Sequence, residues 1–294
     1  MSAISLDGAA VAITGGARGI GYATAKAFAA HGASVYIGDL DAGVALQAAT
    51  ELGGRGFGLD VRSRESFAQF LNAIDLPLAV LVNNAGIMPA GPFIDEDDAI
   101  TDTIVDVNLK GVMYGTKLAL PAMLERGSGH IVNIGSYLGE VPAAGLASYC
   151  ASKYAVIGFS EALRDELAGT GVTVTAVLPS AVRTELASGI RLGGILPTVE
   201  PEDIANTVIR SCRNRPAIIA VPRWMRAYEI AAAASPDRLL ATIRGRLTRD
   251  RVLHTLDAAS RAAYEQRVAR NATPSAEGTE LPCARFSLPH SSTD

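Results

Sequence analysis

Cysteine and histidine are scarce in this sequence, and their scarcity limits the chemistry that it can support. Three cysteines occur among 294 residues. Because their number is odd and their spacings are wide, they do not form the framework of a disulfide-stapled secreted protein. The four histidines are far apart and no CxxC pair accompanies them, so we expect neither a metal site nor a Ser/His/Asp triad. These residues are Cys150, Cys212, Cys283, His31, His130, His254 and His290.

Long apolar runs are also missing. No stretch approaches the roughly 18 uninterrupted apolar residues of a membrane span. The run Ala9–Ile13 is followed at once by Thr14-Gly15-Gly16, which excludes the apolar core of a signal peptide. Hydrophobic residues make up 49% and charged residues 19% of the chain, a composition typical of globular rather than disordered or collagen-like proteins. We therefore expect a soluble, cytoplasmic protein.

Charge is unevenly distributed along the chain. The net charge is −4, yet residues 210–270 hold thirteen arginines and five carboxylates, a net charge of +8 that leaves −12 for the remainder. Within this segment Leu239, Ile243 and Leu247 recur every four residues among arginines, which predicts a basic amphipathic helix. Such a helix lies on an anionic membrane surface, covers a substrate cleft, or contacts a partner subunit of a homodimer or homotetramer. Nucleic acid is not an expected partner, because no recognition module accompanies the charge.

The main part of the chain alternates short apolar runs with longer segments of helical period. This alternation predicts an α/β fold, a doubly wound and mostly parallel sheet of seven strands flanked by helices, over residues 1–222. The predicted strands are Ala10–Thr14, Ser34–Gly38, Gly56–Leu59, Ala79–Asn83, Ile131–Gly135, Val172–Leu178 and Ala217–Val221. The predicted helices are Tyr22–His31, Ala42–Leu52, Arg64–Ile74, Ala99–Glu125, Ser148–Ala168 and Glu202–Arg213.

The alternation ends after Pro222. Residues 223–270 are interpreted as a helical basic extension. Residues 271–294 are rich in Pro, Ser, Thr and Glu and contain too little apolar surface to offset the entropy of ordering, so we expect a disordered tail.

A glycine-rich turn follows the first predicted strand and precedes the first predicted helix. Its sequence, Thr14-Gly15-Gly16-Ala17-Arg18-Gly19-Ile20-Gly21, lets the backbone turn tightly and lets a phosphate approach the N-terminus of the helix. Asp39 follows the second predicted strand, twenty residues after Gly19, where a carboxylate accepts hydrogen bonds from ribose hydroxyls. Together the two features predict a dinucleotide site at the first strand-to-helix turn.

Further motifs follow this turn in a fixed order between Gly8 and Pro222. They are Asp60-Val61, Asn83-Asn84-Ala85-Gly86, Asn108, Ser136 and Tyr149-Cys150-Ala151-Ser152-Lys153. With the glycine turn they closely resemble the short-chain dehydrogenase/reductase superfamily. The resemblance implies a Rossmann-like fold and an NAD or NADP cofactor. The cofactor-binding residues that it implies are Gly15, Arg18, Gly19, Ile20, Gly21, Asp39, Asp60, Val61, Asn83, Ala85, Gly86, Tyr149, Lys153, Pro179, Val182 and Thr184.

Tyr149 and Lys153 are four residues apart on a predicted helix, so their side chains leave the same face. A phenol with a pKa of about 10 exchanges protons near neutral pH only if that pKa falls by roughly 3 units, and an adjacent ammonium and a cationic nicotinamide can lower it. By resemblance, Tyr149 is the general acid/base, Lys153 lowers its pKa, Ser136 holds the substrate oxygen and Asn108 holds a water. The implied reaction interconverts a secondary alcohol and a ketone by hydride transfer.

Two residues bear on the choice of cofactor. Asp39 repels the 2′-phosphate of NADP and accepts hydrogen bonds from the free hydroxyls of NAD, whereas Arg18 resembles a basic residue of some NADP-preferring members. Since Leu40 rather than arginine follows Asp39, we favour NAD and keep NADP as the alternative. Two other functions stay open: an NADPH-dependent carbonyl or 3-oxoacyl reductase, and an inactive dinucleotide-binding regulator or scaffold. Such regulators usually lose the tyrosine or the lysine, and both are present here.

Apolar residues surround the predicted chemistry. The segment from Thr184 to Pro201 mixes apolar side chains with glycines, which suits a mobile lid unless its leucines only pack on the domain. Ser180 stands where the family usually has glycine and narrows the space beside the nicotinamide. These residues predict a lipophilic small molecule such as a steroid, retinoid, terpenoid or lipid carbonyl. The candidates are Ile87, Met88, Tyr137, Leu138, Val141 and Leu146 in the pocket, and Leu186, Ile190, Leu192, Ile195, Leu196 and Val199 in the lid.

Overall fold

The structure is a computed structural model, and it describes residues 3–190, 197–227 and 256–272. The strands in this part of the chain are β1 Ala10–Thr14, β2 Ser34–Asp39, β3 Arg55–Gly58, β4 Leu78–Asn83, β5 Gly129–Ile134, β6 Val172–Pro179, β7 Ala181–Val182, β8 Thr198–Val199 and β9 Ile218–Val221. The helices are α1 Gly19–Ala30, α2 Ala42–Glu51, α3 Arg64–Asn72, α4 Asp98–Val105, α5 Gly111–Arg126, α6 Ala147–Glu166, α7 Pro201–Asn214 and α8 Ala258–Asn271.

Seven of the strands form one parallel sheet in the order β3-β2-β1-β4-β5-β6-β9. The chain builds outward from β1 to β3, returns to place β4 beside β1, and then builds outward in the other direction. Doubly wound sheets bind ligands at the carboxyl ends of the strands where the order reverses, which is between β1 and β4 here. The predicted Rossmann-like α/β class is confirmed, and each of the seven predicted strands lies within two residues of its expected bounds.

The sheet is buried on both faces. Val11 and Ile13 of β1 pack into a core on one face, whereas Ala12, Tyr36 and Leu81 belong to the core on the other. All residues of β1, β5 and β6 are buried. Because both faces of these strands are covered, their sequences are continuous apolar runs rather than alternating patterns, and this made them recognisable.

The predicted helix Ala99–Glu125 is divided in the structure, which corrects the prediction. A π-helical turn, Asp106–Lys110, separates α4 from α5. One wide turn adds a residue to the local repeat, and a helical period counted over the whole segment does not resolve it. The sequence places Asn108 within a regular α-helix. In the structure it lies in the π turn instead and is fully buried.

Two other differences concern short features. α1 begins at Gly19, three residues before the predicted start at Tyr22, and no side-chain cap marks its first residue. β7 and β8 pair with each other as a separate two-stranded sheet. Each is two residues long, which is too short for a period of two to be visible in the sequence.

The C-terminal end of the described chain is helix α8. The Asp257 carboxylate caps it by accepting hydrogen bonds from the backbone N–H groups of Ala259 (3.1 Å) and Ser260 (3.3 Å), a common N-terminal arrangement. No helix of the described residues is both long and apolar enough to cross a membrane. The predictions for Leu192, Ile195, Leu196, Leu239, Ile243 and Leu247 and for the tail from 273 onward lie outside the described residues.

Candidate active site

A cavity of about 820 Å³ lies at the carboxyl ends of the strands, where the sheet order reverses. Its size is within the roughly 300–1,000 Å³ of ligand pockets. The glycine turn, the loops after β2 to β6, helix α6 and helix α8 all contribute to its walls. The predicted site residues that line it are Gly15, Arg18, Gly19, Ile20, Asp39, Asp60, Val61, Ala85, Gly86, Ser136, Tyr149, Lys153, Pro179, Val182 and Thr184.

The glycine turn has a backbone that side chains would not tolerate. Gly15 and Gly19 have φ angles of 59° and 52°, in the left-handed region that favours glycine. A Cβ added at Gly15 would lie 2.9 Å from Ala85 Cα, and one at Gly21 would lie 2.2 Å from Gly15 O. The turn therefore packs against the end of β4 and against α1 without room for a methyl group.

Asn84 fixes this turn from the neighbouring strand. Its Nδ2 donates to Thr14 O at 3.0 Å and to Gly15 O at 2.9 Å. The Thr14 hydroxyl in turn accepts from the backbone N–H groups of Asn84 and Ala85, both at 3.0 Å. Reasoning from the sequence did not select Asn84, although it lies between the two selected residues Asn83 and Ala85.

The N-terminus of α1 fits a pyrophosphate. Its N-cap, Arg18, makes no side-chain capping bond, and no acidic residue lies in its first turn. The backbone N–H groups at the start of the helix therefore have no side-chain acceptor, and the helix dipole favours an anion there. Gly19 and Ile20 of this turn line the cavity.

Asp39 lies at the end of β2, beside the glycine turn. Its carboxylate accepts from the backbone N–H of Ala17 at 3.2 Å and from that of Asp41 at 3.4 Å. Arg18 pairs with Asp41 instead, at 3.9 Å, and both of these side chains are about half exposed. The carboxylate of Asp39 thus has no cationic partner among the described side chains and remains available to hydroxyl donors.

Asp60 is engaged by its neighbour Arg62. The Arg62 Nη2 lies 2.8 Å and its Nε 2.9 Å from the two carboxylate oxygens. Burial acts to raise the pKa of Asp60, but these hydrogen bonds hold it below its usual value. Arg62 also donates to the backbone oxygen of Asn271, the last residue of α8. The end of α8 therefore lies over the loop after β3.

Tyr149 and Lys153 come from α6 and are both buried, with 6% and 4% exposure. Lys153 Nζ donates to Ile134 O at 2.9 Å and lies 5.8 Å from the centre of the Tyr149 ring. Burial lowers the pKa of Lys153 to about 8. Burial also raises the pKa of Tyr149, while hydrogen bonding with Ser136 acts in the opposite direction. Desolvation of the phenol outweighs this hydrogen bond, so the pKa of Tyr149 is raised rather than lowered as the sequence predicts.

Ser136 follows β5 and also faces the cavity. Its hydroxyl oxygen accepts from the backbone N–H of Leu138 at 3.1 Å, which orients it at the start of a 3-10 turn. The same hydroxyl contributes the hydrogen bond that opposes the rise in the Tyr149 pKa. The Ser136 and Tyr149 side chains therefore line the cavity together.

Asn108 lies behind the cavity wall rather than in it. Its Oδ1 accepts from the Ile87 N–H at 2.8 Å, and its Nδ2 donates to Ile87 O at 2.9 Å. Asn108 Oδ1 and Lys153 Nζ flank Gly86, where an added Cβ would lie 3.3 Å from the former and 3.5 Å from the latter. The π turn thus places the Asn108 amide close to the Lys153 ammonium, on the side of Gly86.

Asn83 and Gly21 also do not line the cavity. Asn83 is buried in the sheet, and its Nδ2 donates to Asn133 Oδ1 at 2.9 Å and to Thr116 Oγ1 at 3.2 Å. Its amide joins β4 to β5 and α5. In this structure Asn83 supports the sheet beneath the cavity, and Gly21 supports the turn.

The substrate end of the cavity is apolar. Met88, Leu146 and Tyr149 form a buried cluster with Cys150, and Leu186 and Ile190 from the predicted lid pack against it. Ser180 also lines the cavity, and its hydroxyl donates to Pro197 O at 2.6 Å. The six predicted pocket residues that line the cavity are Ile87, Met88, Tyr137, Leu138, Val141 and Leu146.

Helix α8 supplies cavity residues that reasoning from the sequence missed. Tyr264 is buried beside the catalytic end, where its oxygen accepts from the Met88 N–H at 2.7 Å, and burial raises its pKa to about 12. Arg261, Tyr264 and Val268 are spaced three and four residues apart, which predicts one buried helical face but not what that face covers. The α8 residues that line the cavity are Tyr264, Arg267, Val268, Arg270 and Asn271.

The histidine in the sheet is structural. His130 is fully buried, with its ring nitrogens 2.9 Å from Thr173 Oγ1 and 3.1 Å from Ser211 Oγ. Burial lowers its pKa to about 3, so it is neutral. The described residues contain no group of three or more His, Cys, Asp or Glu placed to hold a metal ion.

Comparison with known proteins gives consistent matches. Residues 9–193 match the family model described as short chain dehydrogenase. The 2-(S)-hydroxypropyl-CoM dehydrogenase 3 of Xanthobacter autotrophicus is 38% identical over 233 residues, which cover 71% of this chain and 91% of that protein. Estradiol 17-beta-dehydrogenase 11 of Homo sapiens is 31% identical over 257 residues, which cover 83% and 85%. A solved short-chain type dehydrogenase/reductase from Mycobacterium marinum has a TM-score of 0.67 and 25% identity, covering 74% of this chain and 94% of that one.

Proposed function

The chain belongs to the short-chain dehydrogenase/reductase superfamily and is an NAD(P)-dependent oxidoreductase acting on CH–OH groups; from this premise we propose that it interconverts a lipophilic secondary alcohol and its ketone, with NAD as the preferred cofactor. One observation carries the proposal. Ser136, Tyr149 and Lys153 lie at one end of a cavity whose other half is formed by the glycine turn and Asp39. The residues proposed for hydroxyl chemistry and those proposed for nucleotide binding therefore line the same cavity.

The residues present fit a dinucleotide. The uncapped start of α1 would hold the pyrophosphate, Asp39 the ribose hydroxyls, and Asp60 with Val61 the adenine, while Lys153 would bond the second ribose. Thr184 and the backbone of Val182 would hold the carboxamide. When bound, the nicotinamide accepts or supplies the hydride.

The chain's own groups move and hold the proton. In the oxidative direction Tyr149 Oη takes the proton of the substrate hydroxyl, and in the reductive direction it donates that proton to the carbonyl oxygen. The Ser136 hydroxyl donates a hydrogen bond to the same oxygen. The Lys153 ammonium would stabilise the phenolate form of Tyr149. Asn108, which lies behind the cavity wall near Lys153, would hold the water that links the lysine to solvent.

Electrostatics support NAD over NADP. Among the described side chains, no cation pairs with the Asp39 carboxylate, and Arg18 pairs with Asp41. Two like charges 4 Å apart repel by about 4 kcal/mol at an effective dielectric constant of 20. A 2′-phosphate at this position would therefore be disfavoured, whereas free ribose hydroxyls can donate to the carboxylate.

The walls of the substrate end support a lipophilic substrate. Six apolar or aromatic positions, from Ile87 to Leu146, face the cavity, and Leu186 and Ile190 close over them. A bulky alcohol or ketone such as a steroid, retinoid, terpenoid or lipid carbonyl matches this surface.

The alternatives predict different results in one assay. A panel of lipophilic alcohols and ketones is offered with NAD(H) and NADP(H), and absorbance of the reduced nicotinamide is followed. Turnover with NAD and apolar secondary alcohols supports the proposal. Turnover only with NADPH and carbonyl or 3-oxoacyl substrates supports the reductase alternative. Binding of NADH without turnover on any substrate supports the regulator or scaffold.

Tyr149→Phe tests the role of the phenol. Because Phe keeps the ring but cannot exchange a proton, we expect kcat to fall by a factor of about 10² to 10⁴, with NADH affinity unchanged in a fluorescence titration. Tyr154→Phe is the matched control, since Tyr154 lies on the same helix with 66% exposure and should leave both quantities unchanged. A Tyr149→Phe enzyme with a near-normal rate would overturn the assignment.

A further inference from the structure

Helix α8 lies along the cavity and contacts both of its sides. At its start, Asp257 N donates to Gly189 O at 2.8 Å, and near its middle Arg267 Nη1 lies 2.6 Å from Glu185 Oε1. Both contacts are with the segment after β7. At its end, the backbone oxygen of Asn271 accepts from Arg62 on the loop after β3. Fourteen helical residues extend about 20 Å, so α8 follows the cleft from its substrate end to its adenine end.

Arg261 joins the two sides of the cleft at one point. Its guanidinium donates to Met88 O on the loop after β4, and to Leu186 O (3.2 Å) and Ser188 O (2.8 Å) on the opposite side. Its Nε lies 2.5 Å from Glu265 Oε1. A planar guanidinium has five donors in a fixed fork and can satisfy carbonyl groups from several directions at once.

The burial of Arg261 is unusual for a surface helix. Its side chain is 1% exposed, and its guanidinium lies 4.8 Å from the Tyr264 ring centre. Placing a charge in a buried position is costly unless its donors are satisfied, and removing its partners leaves the charge uncompensated. Loss of one of these partners would therefore destabilise the buried guanidinium.

We propose that α8 is a wall of the active site and that Arg261 is the positioning residue that fastens it across the cleft, so that the contacts of Arg261 limit the rate at which the dinucleotide leaves. This inference rests on the proposed function. Arg267, Val268 and Asn271 line the same cavity as Gly15 and Asp39. A nucleotide bound there is covered by α8, and its release requires the helix to separate from at least one side of the cleft.

The rate of NADH dissociation tests the role of Arg261 directly and does not require a substrate. The NADH complex is mixed with excess NAD in a stopped-flow instrument, and the loss of NADH fluorescence is followed. For Arg261→Met we expect dissociation at least ten times faster than in the wild type. Arg261→Lys should also be faster, because one ammonium cannot serve both sides of the cleft. Arg213→Met, the same change at an exposed arginine of α7, should match the wild type.

A second variant changes Gly189, which contacts the start of α8 from the segment after β7. Gly189 has a φ of 70°, and a Cβ there would lie 2.5 Å from Asp257 O and 2.9 Å from Arg261 Cβ. Gly189→Ala should therefore displace the start of α8 and accelerate NADH release in the same way. If Arg261→Met does not fold, Gly189→Ala decides the question.

Hydrogen exchange separates a loosened wall from a destabilised protein. The Met88 amide donates to Tyr264, so its protection depends on α8. In Arg261→Met we expect faster exchange at Met88 and in α8, with exchange in β1 and β4 unchanged. Folded variants whose NADH release stays within twofold of the wild type would overturn the inference. A wild-type protein that binds neither NADH nor NADPH would overturn the proposed function as well, so the two failures are distinct.

Discussion

Lys153 shows how a single residue is adjusted for its position. Its ammonium is buried with one carbonyl acceptor, Ile134 O, and burial lowers its pKa to about 8. In an unfolded chain a lysine has a pKa of about 10.4. Near neutral pH the charged amine therefore lowers the free energy of unfolding. The same charge can interact with a phenolate and with a ribose in the cleft.

This cost produces a pH dependence of stability. Between the folded pKa of about 8 and the unfolded pKa of about 10.4, the unfolded chain binds more protons. The free energy of unfolding contributed by Lys153 therefore rises with pH in this window. We expect the wild type to gain about 2 kcal/mol over Lys153→Met between about pH 7.5 and pH 10, measured by urea unfolding without cofactor.

The comparison needs a control at an exposed lysine. Lys117→Met on α5 changes the same residue type at an exposed position, and its difference from the wild type should stay constant across the window. The raised pKa of Tyr149 affects stability only above pH 10 or so, because its unfolded pKa is about 10. Parallel curves for the wild type and Lys153→Met would contradict the expectation.

At the scale of elements, β1, the glycine turn and α1 act as one unit. Gly15 and Gly21 allow close contacts between this unit and the residues at the end of β4. The Asn84 side chain holds the turn through two backbone oxygens. The position of the uncapped N-terminus of α1 depends on the shape of the turn. The affinity for the nucleotide should therefore depend also on contacts within the protein, such as those of Gly21 and Asn84, that do not involve the nucleotide.

Gly21→Ala tests this dependence. The added Cβ would lie 2.2 Å from Gly15 O and 2.6 Å from Asn84 Nδ2, so the turn must shift. We expect NADH affinity to fall at least tenfold in a fluorescence titration. Gly158→Ala is the control: it lies on α6 with no atom within 4 Å of an added Cβ, and alanine stabilises a helix by roughly 0.5–1 kcal/mol relative to glycine. Equal NADH affinity in the two variants would disprove the role of the turn.

At the scale of the molecule, the cofactor cavity is built from parts of the chain that are far apart in sequence. The cavity is lined by residues from Gly15 to Asn271, so a ligand in it stabilises the folded state of the whole described domain. At a concentration of 100 times its Kd, a ligand adds about 2.7 kcal/mol to the free energy of unfolding. Thermal unfolding therefore reports cofactor preference without a known substrate.

We expect NAD to raise the melting temperature more than NADP at equal concentration. In Asp39→Asn the repulsion of the 2′-phosphate is removed, so the difference between the two cofactors should shrink or reverse. Asp165→Asn, at an exposed carboxylate of α6, should keep the wild-type difference. If the wild type is stabilised more by NADP, the preference for NAD is wrong.

The sequence by itself determined the sheet, the glycine turn and the residues around Tyr149. Strands covered on both faces leave continuous apolar runs, and a turn such as that at Gly15 requires glycine, so both are local signals in the chain. The positions of Asn83 and Asn108 behind the cavity were not local signals. The Asn83 amide nitrogen donates to Asn133, and the Asn108 amide oxygen accepts from the Ile87 N–H; the fold brings both of these partners near.

Only the tertiary structure decided what covers the cleft. The charge and apolar spacing of the segment that contains α8 are compatible with a helix on a membrane, over the substrate cleft or against a partner subunit. They do not identify the surface that the helix contacts. In the structure Tyr264 meets Met88, 176 residues away along the chain, and Arg261 meets Leu186 and Ser188. The spacing of apolar residues shows that a helix has a face to bury. The surface that receives it depends on contacts between distant segments, and these exist only after the chain has folded.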